Sequence, residues 1–219
     1  MAVEAVIWDF GGVFTTSPFE AFNRYEAAQG IPKDLIRTVN ATNPLENAWA
    51  LFERAEIDRS GFDLKFLEES TALGHPVRGA DVLPLLSGDV RPRMVEALRL
   101  CKRHFRVACI TNNMAQGHGP GMAASAEGAS RSAGIMALFD VIVESSKAGI
   151  RTPDPRIYQI ACEKLGVAPA ACVYLDDLGV NCKPAAELGM RAIKVLTEAQ
   201  ALDDLAAATG LVFPEAVAA

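Results

Sequence analysis

At 219 residues the chain can hold one full α/β domain and a smaller insertion, and a composition half hydrophobic and 22% charged excludes a disordered or membrane-embedded protein. Its net charge of −6, with no Lys/Arg-rich run, lacks the electrostatic footprint of a nucleic-acid or anionic-membrane binder, so neither is expected as a partner. The five cysteines form an odd set without a C-x-x-C pair and fall in apolar stretches, which predicts buried reduced thiols and a cytoplasmic location.

Val3 to Trp8 is a mostly apolar run that stops at Asp9, Gly11 and Gly12, which predicts a buried strand ending in a turn. The run is too short for a signal peptide and lacks its basic flank, and no stretch approaches the roughly 20 apolar residues that cross a bilayer. Between residues 17 and 88, Phe19/Phe22, Trp49/Phe52 and Leu64/Leu67 recur at helical spacing without a strand pattern. An all-helical cap is expected there. Because it leaves and rejoins the core just after the first strand, it should lie over that strand's carboxyl end and exclude water.

Met94, Leu98 and Cys101 predict a helix, and Phe105 to Ile110 a second strand ending at Thr111-Asn112-Asn113, which is expected to open a helix. Met114 to Gly134, rich in Gly, Ala and Ser, reads as a flexible connection. A third strand follows at Phe139 to Val143, then a helix carrying Ile157, Ile160, Ala161 and Leu165. Val173 to Leu175 predicts a fourth strand that ends at Asp176-Asp177, and Ala192 to Val195 a fifth. This alternation argues for an α/β fold with a doubly wound, Rossmann-like parallel sheet, formed by residues 1–16 and 89–219 with the cap at 17–88. Ligands of such sheets bind outside the carboxyl ends of the strands.

That rule gathers Asp9, Thr111, Asp176 and Asp177 on one rim from three separate strands. Carboxylates held together repel unless a cation lies between them, and hard Mg²⁺ prefers such oxygen ligands. Thr111 and Asn112 can hold phosphate oxygens if they open a helix, and glycine at 11 and 12 lets backbone approach a substrate closely.

Four segments carry a resemblance. Asp9-Phe10-Gly11-Gly12-Val13, Ile110-Thr111-Asn112-Asn113, Gly149 to Tyr158, and Leu175-Asp176-Asp177 resemble the ordered motifs of the haloacid dehalogenase superfamily. The last two, with Asn181 to Ala185 and Leu188-Gly189-Met190, are similar to the phosphatase-like N-terminal domain of soluble epoxide hydrolase and to bacterial sugar-phosphate phosphatases. The resemblance implies hydrolysis of a small phosphorylated metabolite. Asp9 would be the nucleophile and form an aspartyl-phosphate. Gly12, Thr111 and Asn112 would bind the phosphoryl group, and Asp9, Gly11 through its carbonyl, Asp176 and Asp177 would hold Mg²⁺.

Two positions depart from the pattern. Gly11 stands where the family carries a second Asp that moves protons, and Thr152 stands where close relatives carry a Lys that pairs with nucleophile and phosphate. Lys147, on the same loop, is the expected substitute for that Lys, with Lys183 the second choice. Two rival functions follow: a 2-haloacid dehalogenase using Asp9 without metal, or a catalytically weak module that senses phosphometabolites or docks a protein.

Overall fold

The structure is a computed structural model that describes residues 2–112 and 126–213. Four fully buried apolar residues, Ala5–Trp8, form β1, the middle of the sheet. Strands buried on both faces read as unbroken apolar runs, which is why this one was legible. The other strands are β2 (Arg106–Thr111), β3 (Val141–Glu144), β4 (Cys172–Asp176) and β5 (Arg191–Lys194). Among the described residues they make a five-stranded, all-parallel sheet in the order β3-β2-β1-β4-β5. Strand order therefore reverses at β1, and a crevice opens there at the carboxyl ends.

The helices are α1 (Pro18–Gln29), α2 (Leu35–Ala41), α3 (Ala48–Glu53), α4 (Arg59–Ala72), α5 (Gly79–Val82), α6 (Pro92–Lys102), α7 (Ala126–Met136), α8 (Ser145–Ala148), α9 (Pro155–Leu165), α10 (Gly179–Glu187) and α11 (Glu198–Thr209). Alternation along β1 divides the core. Val6 and Trp8 pack with Met94 and Leu98 of α6 and Leu202 and Leu205 of α11, while Ala5 and Ile7 pack with Ile157, Tyr158 and Ala161 of α9 and Ala185 of α10. None of the described helices is long and apolar enough to cross a membrane. All five cysteines are buried free thiols.

Helices α1 to α5 are inserted between β1 and β2 and gather their own core, which includes Phe22, Ile36, Trp49, Phe52, Phe62 and Phe66. Trp49 meets Phe62 edge-on at 4.8 Å and Phe52 stacks on it at 4.9 Å, both within the range where aromatic pairs attract. Buried Glu26 holds the start of α2, accepting from Asp34 N at 2.7 Å and Ile36 N at 2.9 Å. The chain leaves and re-enters the sheet domain side by side: Thr15 bridges Val90, Thr16 N donates to Asp89 O at 2.8 Å, and Arg91 N to Phe14 O at 2.8 Å.

The helical spacing at Leu64/Leu67 falls inside α4, where Leu64 is 64% exposed and Phe62 and Phe66 face the core. A three-residue recurrence marks a helix without saying which face is inward, and in α4 the larger aromatic pair takes that face. Thr111 is the last residue of β2, in register with Glu144 of β3, and the helix expected to open at Thr111-Asn112-Asn113 falls on residues outside the described ones. Of the connection expected from Met114 to Gly134, the part up to Ser125 lies outside the described residues, and the rest is corrected: residues 126–134 belong to helix α7.

Candidate active site

Register brings the rim together. Trp8 pairs with Cys109 on one side and Leu175 on the other, and Asp9 N donates to Leu175 O at 2.8 Å, so Asp9 emerges level with Asp176. Carboxylate oxygens of Asp9, Asp176 and Asp177 all lie within 4.8 Å of one another.

The two aspartates after β4 are held differently. Asp176 is fully buried, with Leu178 N donating to Oδ1 at 2.7 Å, Asn181 Nδ2 to Oδ2 at 3.0 Å, and the Tyr174 hydroxyl also donating to Oδ2. Its oxygens are thus engaged by protein donors. Among the described residues Asp177 receives one side-chain hydrogen bond, from Ser17 Oγ at 3.3 Å, which leaves it lone pairs for a ligand. Its Oδ2 also occupies the space beside Gly12, where an added Cβ would sit 2.2 Å from it. With φ at +71° as well, position 12 takes glycine on two independent grounds. Among the described residues nothing lies within 4 Å of a Cβ added at Gly11.

Burial, followed by the charges of Asp176 and Asp177, lifts Asp9 well above the usual carboxylate range. Burial also lifts Asp176 to about 7 and Asp177 to about 6, the latter partly offset by Ser17, Arg91 and Lys194. Three acids in this arrangement cannot all ionise cheaply, and an ionised Asp9 is what a nucleophile needs. A dication among them fits the donor set: carboxylate oxygens, buried, with unsatisfied negative charge.

Thr111 is buried at the end of β2, and Asn112 beside it clamps Thr152. The Asn112 amide donates to Thr152 Oγ1 at 2.7 Å and its oxygen accepts from Thr152 N at 3.1 Å. Thr152 therefore occupies the rim as a neutral group. Lys147, on α8, has a side chain 76% exposed and ion-paired with Glu144, while Lys183, on α10, is 79% exposed and lies 4.0 Å from Glu187. Neither is drawn into the rim as the structure stands. The charges acting most strongly on Asp9 are all negative, and the third of them was not foreseen: Glu53, from the end of α3. No motif or spacing marks Glu53, because its place depends on how the helical insertion docks.

Among known proteins, a family profile for haloacid dehalogenase-like hydrolases matches residues 3–189. The chain is 30% identical over 212 residues to a Mycobacterium tuberculosis protein named Phosphatase MT3486, covering 93% of this chain and 92% of that one. It is 28% identical over 235 residues to bifunctional epoxide hydrolase 2 of Mus musculus, covering 99% of this chain and 40% of that protein. The chain thus spans less than half the length of the mammalian relatives it matches. A Bacteroides thetaiotaomicron enzyme solved with magnesium and inorganic phosphate shares the fold, with a TM-score of 0.55 at 17% identity, over 88% of this chain and 94% of that one. Since the matched residues include all four rim segments, the chain belongs to the haloacid dehalogenase-like hydrolases.

Proposed function

We propose that the chain hydrolyses a small phosphate monoester through an aspartyl-phosphate on Asp9, with Mg²⁺, and that helices 17–88 act as a cap over a core of 1–16 and 89–219. The observation that carries this is the approach of Asp9, Asp176 and Asp177 to within 4.8 Å at the strand reversal. Asp9, the Gly11 carbonyl and Asp177 would hold the metal, and Asp176, tied by Tyr174, Asn181 and Leu178, would add charge and fix Asp177 in place. Bound there, Mg²⁺ would neutralise charge on the transferring phosphoryl group.

The remaining chemistry belongs to the side chains. An Asp9 oxygen forms a bond to phosphorus as the ester P–O bond breaks, and water then cleaves the acyl phosphate and restores Asp9. Thr111, Asn112 and backbone at Gly12 receive the phosphoryl oxygens. Lys147 would turn from Glu144 toward the phosphate and supply the charge that Thr152 lacks. The names of the M. tuberculosis relative and of the B. thetaiotaomicron complex support phosphate as the transferred group. Five buried thiols fit a reducing, cytoplasmic setting.

The test is phosphate release from a panel of phosphorylated metabolites with and without Mg²⁺. Turnover is expected only with metal, and Asp9→Asn should lower it by at least about 10³-fold, since an amide cannot attack phosphorus. The Asp177 carboxylate, poised with free lone pairs, has little use in a metal-free carbon–halogen hydrolysis. Halide release from a 2-haloacid, undiminished by chelator, would therefore overturn the assignment. Tight phosphometabolite binding without turnover under any divalent metal would point to a sensing module instead.

A further inference from the structure

In-line displacement at phosphorus places the leaving oxygen opposite the nucleophile. Asp9 follows the end of β1, where the insertion leaves and rejoins the sheet domain, so a leaving oxygen opposite Asp9 would point toward the inserted helices. Gly11 offers no side chain to protonate it. Among the described residues, the carboxylates whose charge bears most on Asp9 are Asp176, Asp177 and Glu53. The first two stand on the sheet side with the nucleophile. Glu53 comes from the insertion.

Glu53 is fixed at this seam from two directions. Ser145 Oγ, at the start of α8, donates to its backbone carbonyl at 2.8 Å. Arg151 Nε, beside Thr152, lies 2.8 Å from Oε2 as an ion pair, while its N–H donates to Thr152 O at 3.2 Å. The side chain is 13% exposed, so a carboxylate from the insertion is held by the very loop that carries the third motif.

We propose that Glu53 is the proton-transfer residue of the hydrolysis, supplying from the insertion the acid and base that Gly11 cannot. This rests on the phosphatase reading above. In the first step the Glu53 carboxyl proton passes to the leaving oxygen while the Asp9–phosphorus bond forms and the ester bond breaks, releasing an alcohol. In the second, the Glu53 carboxylate takes a proton from the attacking water as the Asp9–phosphorus link breaks, which restores the acid and yields phosphate. Burial raises the proton affinity of Glu53, against the pull of Arg151 and Arg54. An entering phosphate dianion competes with Glu53 for the Arg151 guanidinium, and a buried carboxyl relieved of its counter-ion holds its proton more firmly.

The test compares wild type and Glu53→Gln on glycerol phosphate and p-nitrophenyl phosphate at saturating Mg²⁺, after circular dichroism has confirmed folding. A nitrophenolate departs without a proton; an alkoxide does not. Glu53→Gln should therefore lower glycerol phosphate turnover by about 10²–10⁴-fold, the usual worth of general acid–base catalysis. With p-nitrophenyl phosphate it should give a burst of nitrophenolate stoichiometric with enzyme, followed by slow turnover as the phosphoenzyme accumulates. Adding Gly11→Asp to Glu53→Gln should recover part of the glycerol phosphate rate, since the space at Gly11 is open. Equal loss of the first turnover on both substrates would reduce Glu53 to a structural tie, and no loss on either would remove it from the reaction. Should Glu53→Gln fail to fold, Glu53→Asp keeps an acid but retracts it. It should slow glycerol phosphate selectively, and an unselective effect overturns the proposal. A wild type that releases phosphate from neither substrate brings down the phosphatase reading itself, a result distinct from all of these.

Discussion

Gly11 and Gly12 are adjacent and chemically identical, yet the structure predicts opposite responses to the same substitution. Gly12→Ala forces a side chain into a left-handed backbone and into the Asp177 carboxylate 2.2 Å away, whereas Gly11→Ala meets nothing within 4 Å. The first should lose about 1–2 kcal/mol from backbone strain and raise the Mg²⁺ concentration needed for half-maximal activity. The second should leave thermal stability close to wild type. Thermal unfolding and a metal titration on the two variants check this, and equal effects would show that Asp177 is not held against Gly12. At this scale the sequence was informative where a polar residue ends an apolar run, as at Asp9, Thr111 and Asp176. It was uninformative for Glu53 and Ser17, whose neighbours sit in distant parts of the chain.

At the scale of elements, the stretch that follows β3 carries the cation assigned to the proposed site, Lys147. Lys147 sits on a one-turn helix next to Glu144, whose backbone is in register with Thr111, and in the proposed mechanism its ammonium would leave Glu144 for the phosphate. Lys147→Ala should raise KM roughly 10- to 100-fold, from the ~1.5–3 kcal/mol of a hydrogen bond to a charged group, with kcat less affected. Stability should hardly move, because the Lys147 side chain is 76% exposed and surface ion pairs contribute little. An unchanged KM would leave the cation to Arg151, already at the seam. The fifth element of the sheet, its parallel order and the helices on each face were all readable from periodicity. The facing of α4 was not: Leu64/Leu67 and Phe62/Phe66 both fit a helix, and only packing against Trp49 and Phe52 selects the aromatic face.

For the molecule as a whole, the carboxylate rim couples stability to pH and metal. Asp176 and Asp177 rise from an ordinary 3.8 to about 7 and about 6 on folding, with Asp9 and Glu53 shifted the same way. A raised acid stabilises the folded chain below its unfolded value and loses that contribution as pH rises through its folded value. The melting temperature of the metal-free protein should therefore fall between about pH 4 and pH 7. Asp63, Asp140 and Asp154 are lowered, and their contributions disappear only as pH falls below the ordinary carboxylate range, outside this window. At pH 7, Mg²⁺ at 100 times its Kd should return about 2.7 kcal/mol, or roughly 5–10 °C for a chain of this size. Differential scanning calorimetry with Mg²⁺ and with chelator decides it: a metal-independent melting temperature at pH 7 would sink the metal site.

The sequence by itself pointed to the family through the resemblance of four ordered motifs, and determined the parallel sheet and the strand-end carboxylates through local pattern: a buried apolar run, a turn, a polar residue at the carboxyl end. It also located the inserted helices, whose spacing differs in kind from that of the strands. Only the tertiary structure decided what faces what. It distinguished Asp176, saturated by Tyr174, Asn181 and Leu178, from Asp177 with lone pairs to spare, two neighbours the sequence presents as a pair. It placed Thr152 in the clamp of Asn112 and brought Glu53 of α3 to Ser145 and Arg151 of the core. These contacts join residues up to about a hundred positions apart. The Glu53 contacts depend on how the core of the inserted helices docks on the sheet domain, which no local periodicity encodes.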